Sequence, residues 1–179
     1  MTPILGIMAS SISGSKISTT AYESIASATG TGASGTITFS SIPSTYASLQ
    51  IRMTGFTTAG SDINFQIAGN NLTYSHYLYG DGTTATANAN ASSCYINWGV
   101  QPSSTQAYVA VIDVLDYAST TKTKTVRFLS GVDKNGSGEI VLGSGLRNST
   151  SAVSSISLVA PSSTWTTNTT ISLYGIKGA

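Results

Sequence analysis

Segment after segment, apolar and polar side chains alternate along this chain, and no other feature limits its possible folds as strongly. Gly35-Thr-Ile-Thr-Phe-Ser40 puts Ile37 and Phe39 on one face, Ser48-Leu-Gln-Ile-Arg-Met-Thr54 puts Leu49, Ile51 and Met53 together, and Asp62-Ile-Asn-Phe-Gln-Ile67 aligns Ile63, Phe65 and Ile67. Val126 with Phe128, Ile156 with Leu158, and Ile171 with Leu173 repeat the pattern. Successive side chains of a strand point to opposite faces, so period two with Thr, Ser, Asn and Gln on the other parity marks half-buried strands of an antiparallel sheet. Gly30-Thr-Gly32, Ile42-Pro-Ser44, Gly69-Asn-Asn71, Gly80-Asp-Gly82, Asn135-Gly136 and Pro161-Ser-Ser163 supply the turns. About ten or eleven short strands at this spacing predict a sandwich or barrel. No window sustains a helical period, and even Thr19–Ala28, rich in β-branched residues and Ser, reads as strand. The expected fold is all-β: a two-sheet antiparallel β-sandwich, jelly-roll-like, over residues 21–179, with residues 1–20 as an extended N-terminal arm.

Two stretches depart from the alternation. Ala107-Tyr-Val-Ala-Val-Ile-Asp-Val-Leu115 is apolar on both parities apart from Asp113, which predicts a strand covered on both faces. Gly80–Ser93, low in apolar bulk, reads as a long surface loop, a natural place for contact with a neighbour or ligand.

At 179 residues the chain is about one domain long, and 40% hydrophobic residues are enough for one core. Ser (30) and Thr (26) dominate, while charged residues reach only 8%, against about 25% in an ordinary domain. Such a hydroxyl-rich, charge-poor surface suits a shell or fibre component. A net charge of +1 with scattered cations gives no phosphate-binding footprint, so no nucleic acid is expected as partner. Only Lys122, Lys124 and Arg127 lie close together, and they read as lysines guarding a strand edge. The opening stretch reads neither as a secretory signal nor as a membrane span, since Gly6 interrupts a short apolar run and the first cation is Lys16. The Asn-x-Ser/Thr triplets at Asn71, Asn90, Asn135, Asn148 and Asn168 then follow from composition and not from glycosylation.

The inventory of reactive groups predicts no catalytic, cofactor or metal site. Cys94 and His76 are each the only residue of their type, too few for a Cys/His metal cluster, and Cys94 beside Tyr95, Ile96 and Trp98 reads as a buried structural thiol. Asp113 and Asp116 differ in parity and point to opposite faces of a regular strand, so they do not form an acid–base pair. Asp133-Lys-Asn-Gly-Ser-Gly-Glu139 resembles the start of a calcium loop, but position 12 is Ser144, and Asn135-Gly136 between strands is a hairpin signal. The hairpin is the preferred reading. Tyr74-Ser-His-Tyr-Leu-Tyr-Gly-Asp81 gathers rings beside a carboxylate, so Tyr77, Tyr79 and Asp81 are candidates for glycan or subunit contact; the competing reading is a strand whose tyrosines finish the core.

Several segments are familiar as a set: Thr2-Pro-Ile-Leu-Gly-Ile7, Ile42-Pro-Ser-Thr-Tyr46 with Leu49-Gln-Ile-Arg52, His76-Tyr-Leu-Tyr-Gly-Asp-Gly82, Asp113-Val-Leu-Asp-Tyr-Ala118, Asn135-Gly-Ser-Gly-Glu139 and Ile171-Ser-Leu-Tyr-Gly-Ile-Lys-Gly178. Together, over nearly the whole chain, they resemble a family of largely uncharacterised virion structural proteins of tailed phages that infect marine and freshwater bacteria, cyanophages among them. The resemblance implies a non-enzymatic particle component and brings no catalytic residue with it. It points first to a capsid decoration, or cement, protein that binds the head surface as an oligomer through the arm residues Ile4, Leu5, Ile7 and Met8. The alternative is a tail fibre or tail-tip component that binds host glycan. The partners it implies are the major capsid protein or tail proteins of the same virion, with a homotrimer expected by analogy and a virion location after assembly in the host cytoplasm. The absence of heptads, collagen-like triplets or any shaft repeat favours the head. Residues 1–20 also allow a plainer reading, as a tail that holds nothing.

Overall fold

The computed structural model describes residues 21–90, 93–97 and 99–178. Twelve strands make up the described chain: β1 (Tyr22–Thr29), β2 (Thr36–Phe39), β3 (Ser48–Gly55), β4 (Asn64–Ile67), β5 (Asn70–Asn71), β6 (Thr73–Gly80), β7 (Ala85–Asn90), β8 (Tyr108–Leu115), β9 (Lys124–Asp133), β10 (Gly138–Arg147), β11 (Ile156–Val159) and β12 (Thr170–Ile176). They form two antiparallel sheets, one of eight strands in the order β1-β12-β3-β8-β9-β10-β6-β7 and one of four in the order β2-β11-β4-β5. The fold is all-β, a two-sheet sandwich with an uneven division of strands.

Alternation in the sequence becomes alternation in burial. On β9 the inward parity carries Lys124, Val126, Phe128, Ser130 and Val132, all buried, while Thr125, Arg127 and Leu129 face out. β8 does the same with Tyr108, Ala110, Ile112 and Val114 against Val109 and Val111. The inward sets of both sheets merge into one cluster that includes Ile37, Phe65 and Leu158 from the small sheet and Leu49, Ile51 and Ile171 from the large one. Packing here is close. Phe128 lies across its register partner Gly143, where a Cβ would come within 2.1 Å of the ring. Segment 93–97 bridges the layers: Ile96 N donates to Ile63 O at 2.9 Å, and Ser130 Oγ of the large sheet donates to Ile96 O at 2.6 Å.

The structure corrects three expectations. Gly80–Ser93 is not one long loop, because residues 85–90 form β7 and pair with β6 from Gly80↔Ala85 to Ser75↔Asn90. Ala, Thr and Asn give no apolar contrast to read, and the partner strand supplies the order. Lys124 guards no edge; it is fully buried on the central strand β9, and its Nζ donates to the carbonyls of Ser119 and Lys122, each at 2.6 Å, and of Thr150 at 3.1 Å. Those oxygens offset the loss of water around the charge, although burial still pulls its pKa below the usual lysine value. Among the described residues, β8 is covered on one face only, with Val109 and Val111 exposed on the other. The Asn135-Gly136 hairpin is present, with both residues at positive φ (54° and 107°), as a tight β-turn between right-twisted strands requires. Residues 1–20, including Ile4, Leu5, Ile7 and Met8, lie outside the described residues.

Candidate functional site

The face of the large sheet turned away from the small one is read most simply as rows of register partners. One row runs Ser27, Ser172, Arg52, Val111, Leu129, Leu142, Leu78, Ala87 from one edge to the other. The next runs Thr29, Thr170, Thr54, Val109, Gly131, Ile140, Gly80, Ala85. In both, the β1-β12-β3 side is polar and the β8-β9-β10-β6 side is apolar. Six aliphatic side chains stand exposed there: Leu78, Val109, Val111, Leu129, Ile140 and Leu142, from 41% to 59% exposed. This clustered apolar surface on an otherwise hydroxyl-rich domain is the candidate interaction site.

The site is also hollowed. An open trough of about 1200 Å³ runs over Val109, Val111, Leu129, Gly131 and Ile140 and reaches Arg52, Thr54, Thr170 and Ser172 on the polar side, with the turn residues Asp81 and Gly82 on one rim and Asp133 and Gly136 on another. Gly131 lowers its floor between Val109 and Ile140. A Cβ there would come within 2.6 Å of Glu139 O, so close strand pairing and the lowered floor have the same cause. Asp81 shapes its rim: Oδ1 accepts from Thr83 N at 2.9 Å, Thr83 Oγ1 at 2.8 Å and Thr84 N at 2.7 Å. The Thr83 backbone bond leads the set that holds its carboxyl below the usual carboxylate range.

Tyr77, Tyr79 and Asp81 do not form one contact surface. Tyr77 is buried, its ring tilted against Phe128 at 6.0 Å, its hydroxyl donating to Ser93 O at 3.3 Å and accepting from Tyr95 N at 2.9 Å. Burial first, and then neighbouring Cys94, push its pKa above the ordinary tyrosine value. Tyr79 shares the inward parity and is half-buried, whereas Asp81 is exposed on the turn. Between the two rings, Leu78 takes the outward position. The competing core reading of the tyrosines therefore describes Tyr77, and the outward chemistry of β6 is aliphatic. The signal for this was in the sequence: Leu78, Leu129, Ile140 and Leu142 each adjoin an inward residue (Tyr77, Phe128, Val141), which makes short runs apolar on both parities, as in Ala107–Leu115.

The reactive groups are spread apart. Asp113, on the outer face, accepts from Gln50 Nε2 at 3.0 Å, while Asp116 sits in a turn at φ 53° and pairs with Lys122 at 3.1 Å. Glu139 points inward, accepting from Tyr108 Oη at 2.8 Å and Gly99 N at 3.1 Å, away from the hairpin oxygens of residues 133–137. Among the described residues, no group of three or more His, Cys, Asp and Glu side chains is placed to hold a metal ion. Cys94 is buried, and burial pushes its thiol up to about 12. On the polar side of the outer face, Arg52 lies between Tyr22 and Tyr174, 5.4 and 5.3 Å from the ring centres, and donates through Nε to Gln50 Oε1 at 3.0 Å. No protein-family model matches the chain, and neither a curated protein nor a solved structure matches it.

Proposed function

We propose that this chain is a non-enzymatic virion structural protein of a tailed phage, a capsid decoration protein that sits on the head surface as an oligomer, a homotrimer by analogy, with residues 1–20 as its connecting arm. The observation that carries this reading is the apolar trough on the outer face of a sandwich whose surface is otherwise polar and nearly uncharged. A decoration protein holds a repetitive surface through many modest contacts, and avidity multiplies them. Burial of apolar area supplies such contacts without the salt sensitivity of charge pairing. The tail-fibre alternative, with Tyr77, Tyr79 and Asp81 on host glycan, has weaker support because Tyr77 belongs to the core.

The test is mass analysis of washed particles, followed by cryo-microscopy. The expected outcome is stoichiometric retention, with density for the sandwich on the head lattice. Absence from washed particles sinks the virion reading, and density confined to the tail sinks the decoration role.

A further inference from the structure

We propose that the trough on the outer face receives the Ile4–Met8 segment of a second copy of this chain. The inference starts from β8, whose sequence is apolar on both parities although only one of its faces is covered among the described residues. A strand of this composition is ordinarily buried on both sides, so Val109 and Val111 call for an apolar partner. Leu129, Ile140, Leu142 and Leu78 extend the demand across three more strands.

The shape selects the partner. A trough rimmed by the 81–84 and 133–138 turns fits a narrow extended segment. It fits poorly against an identical trough, since two concave faces meet at their rims. Within this chain, Ile4-Leu-Gly-Ile-Met8 is an apolar segment outside the described residues, and no charged residue occurs before Lys16. The docked residues carry no charged side chain, which suits a floor of Val109, Val111, Leu129 and Ile140 that offers no counter-charge. An extended backbone turns Leu5 and Ile7 to one side and Ile4 and Met8 to the other, so one pair meets the trough floor and the other closes over it.

The corner at which the described chain begins argues for a neighbour over the same molecule. Thr29, at the end of β1, shares the row of Val109 and Gly131, whereas Ala21 precedes the start of that strand. Ala21 therefore lies about 24 Å along the sheet from the trough and about four strand spacings to the side, at the opposite corner, where its carbonyl accepts from Lys177 N. From that corner, a return to its own trough would take the segment back along the sheet and across about four strands, whereas a copy packed against the corner offers its trough without that reversal. The 13 steps from Ala21 back to Met8 span at most about 45 Å, enough to enter an adjoining copy. Donor corner and acceptor trough are different surfaces, so the contact is heterologous: it repeats from copy to copy and closes only as a ring. This inference rests on the trough and the arm that the virion reading also uses, and it assigns them to the contact that would hold the oligomer together.

The experiment is light scattering on the purified full chain, on a variant lacking residues 1–12, and on L129D/I140D, whose two substituted side chains line the trough. All twelve strands lie within residues 22–176, and both substituted side chains are exposed, so circular dichroism should show each variant folded. The full chain should form a multimer at micromolar concentration. Either change should weaken association by about 30-fold or more, the loss expected when two aliphatic contacts disappear. Mixing the two variants should then give a 1:1 dimer that grows no further, since one supplies only a trough and the other only a segment. A monomeric full chain, a multimer that survives either change, or no dimer on mixing overturns the proposal. A monomeric full chain that is still retained on washed particles would remove this interface and leave the virion reading standing.

Discussion

The two halves of the outer face of the large sheet share rows, strand geometry and solvent exposure, and yet they solve opposite problems. On the β1-β12-β3 half, Ser27 and Ser172 share a hydrogen bond at 2.7 Å, Arg52 is sandwiched between two tyrosine rings, and Gln50 links it to Asp113. These groups find their partners within the sheet. On the β8-β9-β10-β6 half, the same rows continue as Val111, Leu129, Leu142 and Leu78, which find only one another. The polar half is complete by itself, whereas the apolar half gains from contact with something else. Solvent exposure alone therefore does not distinguish a finished surface from a waiting one; the chemistry along a row does.

The sharpest test sets inside against outside on one strand. Phe128→Ala, on the buried side of β9, should cost about 3–5 kcal/mol in urea unfolding, while its neighbour Leu129→Ser should stay within about 0.5 kcal/mol. Equal costs would mean that the outer face is packed like the core. Next in size is an alkaline effect confined to the interior. Burial raises the Cys94 thiol from its ordinary 9.0 to about 12, and the hydroxyls of Tyr77 and Tyr108 are raised by the same cause. Folding holds these groups in their neutral form, so their stabilising effect is complete below their unfolded pKa values and is lost as pH rises toward the folded ones. Thermal unfolding should fall steadily above pH 9, and Cys94→Ala should flatten the first part of that fall. An unchanged profile would contradict the buried thiol.

A smaller effect is expected on the polar half. Arg52→Ala removes a cation held between two rings and should cost about 1 kcal/mol, with Arg52→Lys recovering part of it. The smallest change in stability belongs to the apolar half: in the chain lacking residues 1–12, whose trough is unfilled, V111T/L142T should change the unfolding free energy by less than about 0.5 kcal/mol while sharply reducing the binding of a hydrophobic dye. Dye binding that is unaffected would show that the exposed apolar surface lies elsewhere.

Much of this fold is legible in the sequence because one face of most strands is wet, and a wet face writes itself as Thr, Ser and Asn opposite Ile, Phe and Leu. β3, β9 and β12 are read this way, and Asn135-Gly136 gives its hairpin by turn chemistry. β7 escapes, since Ala, Thr and Asn carry no contrast and its order comes from β6. Lys124 escapes because charge predicts exposure, and only three converging carbonyls reverse that expectation. The trough was half visible: the double-sided apolarity of β8 was plain, but its extension through Leu78, Leu129, Ile140 and Leu142 depends on a register that brings distant strands into one row. The tyrosines of β6 allow two readings for the same reason, since only parity separates the buried ring of Tyr77 from a surface ring.

Lys124 has one more consequence. Its ammonium draws together the backbone of Ser119 and Lys122 on one side and of Thr150 on the other, a task that many extracellular and particle proteins give to a bound calcium. Here the cation is part of the chain and arrives with its own tether. The clasp between the 119–122 turn and the segment after β10 therefore needs no ion from the surroundings, and dilution or a chelator has nothing to take from it.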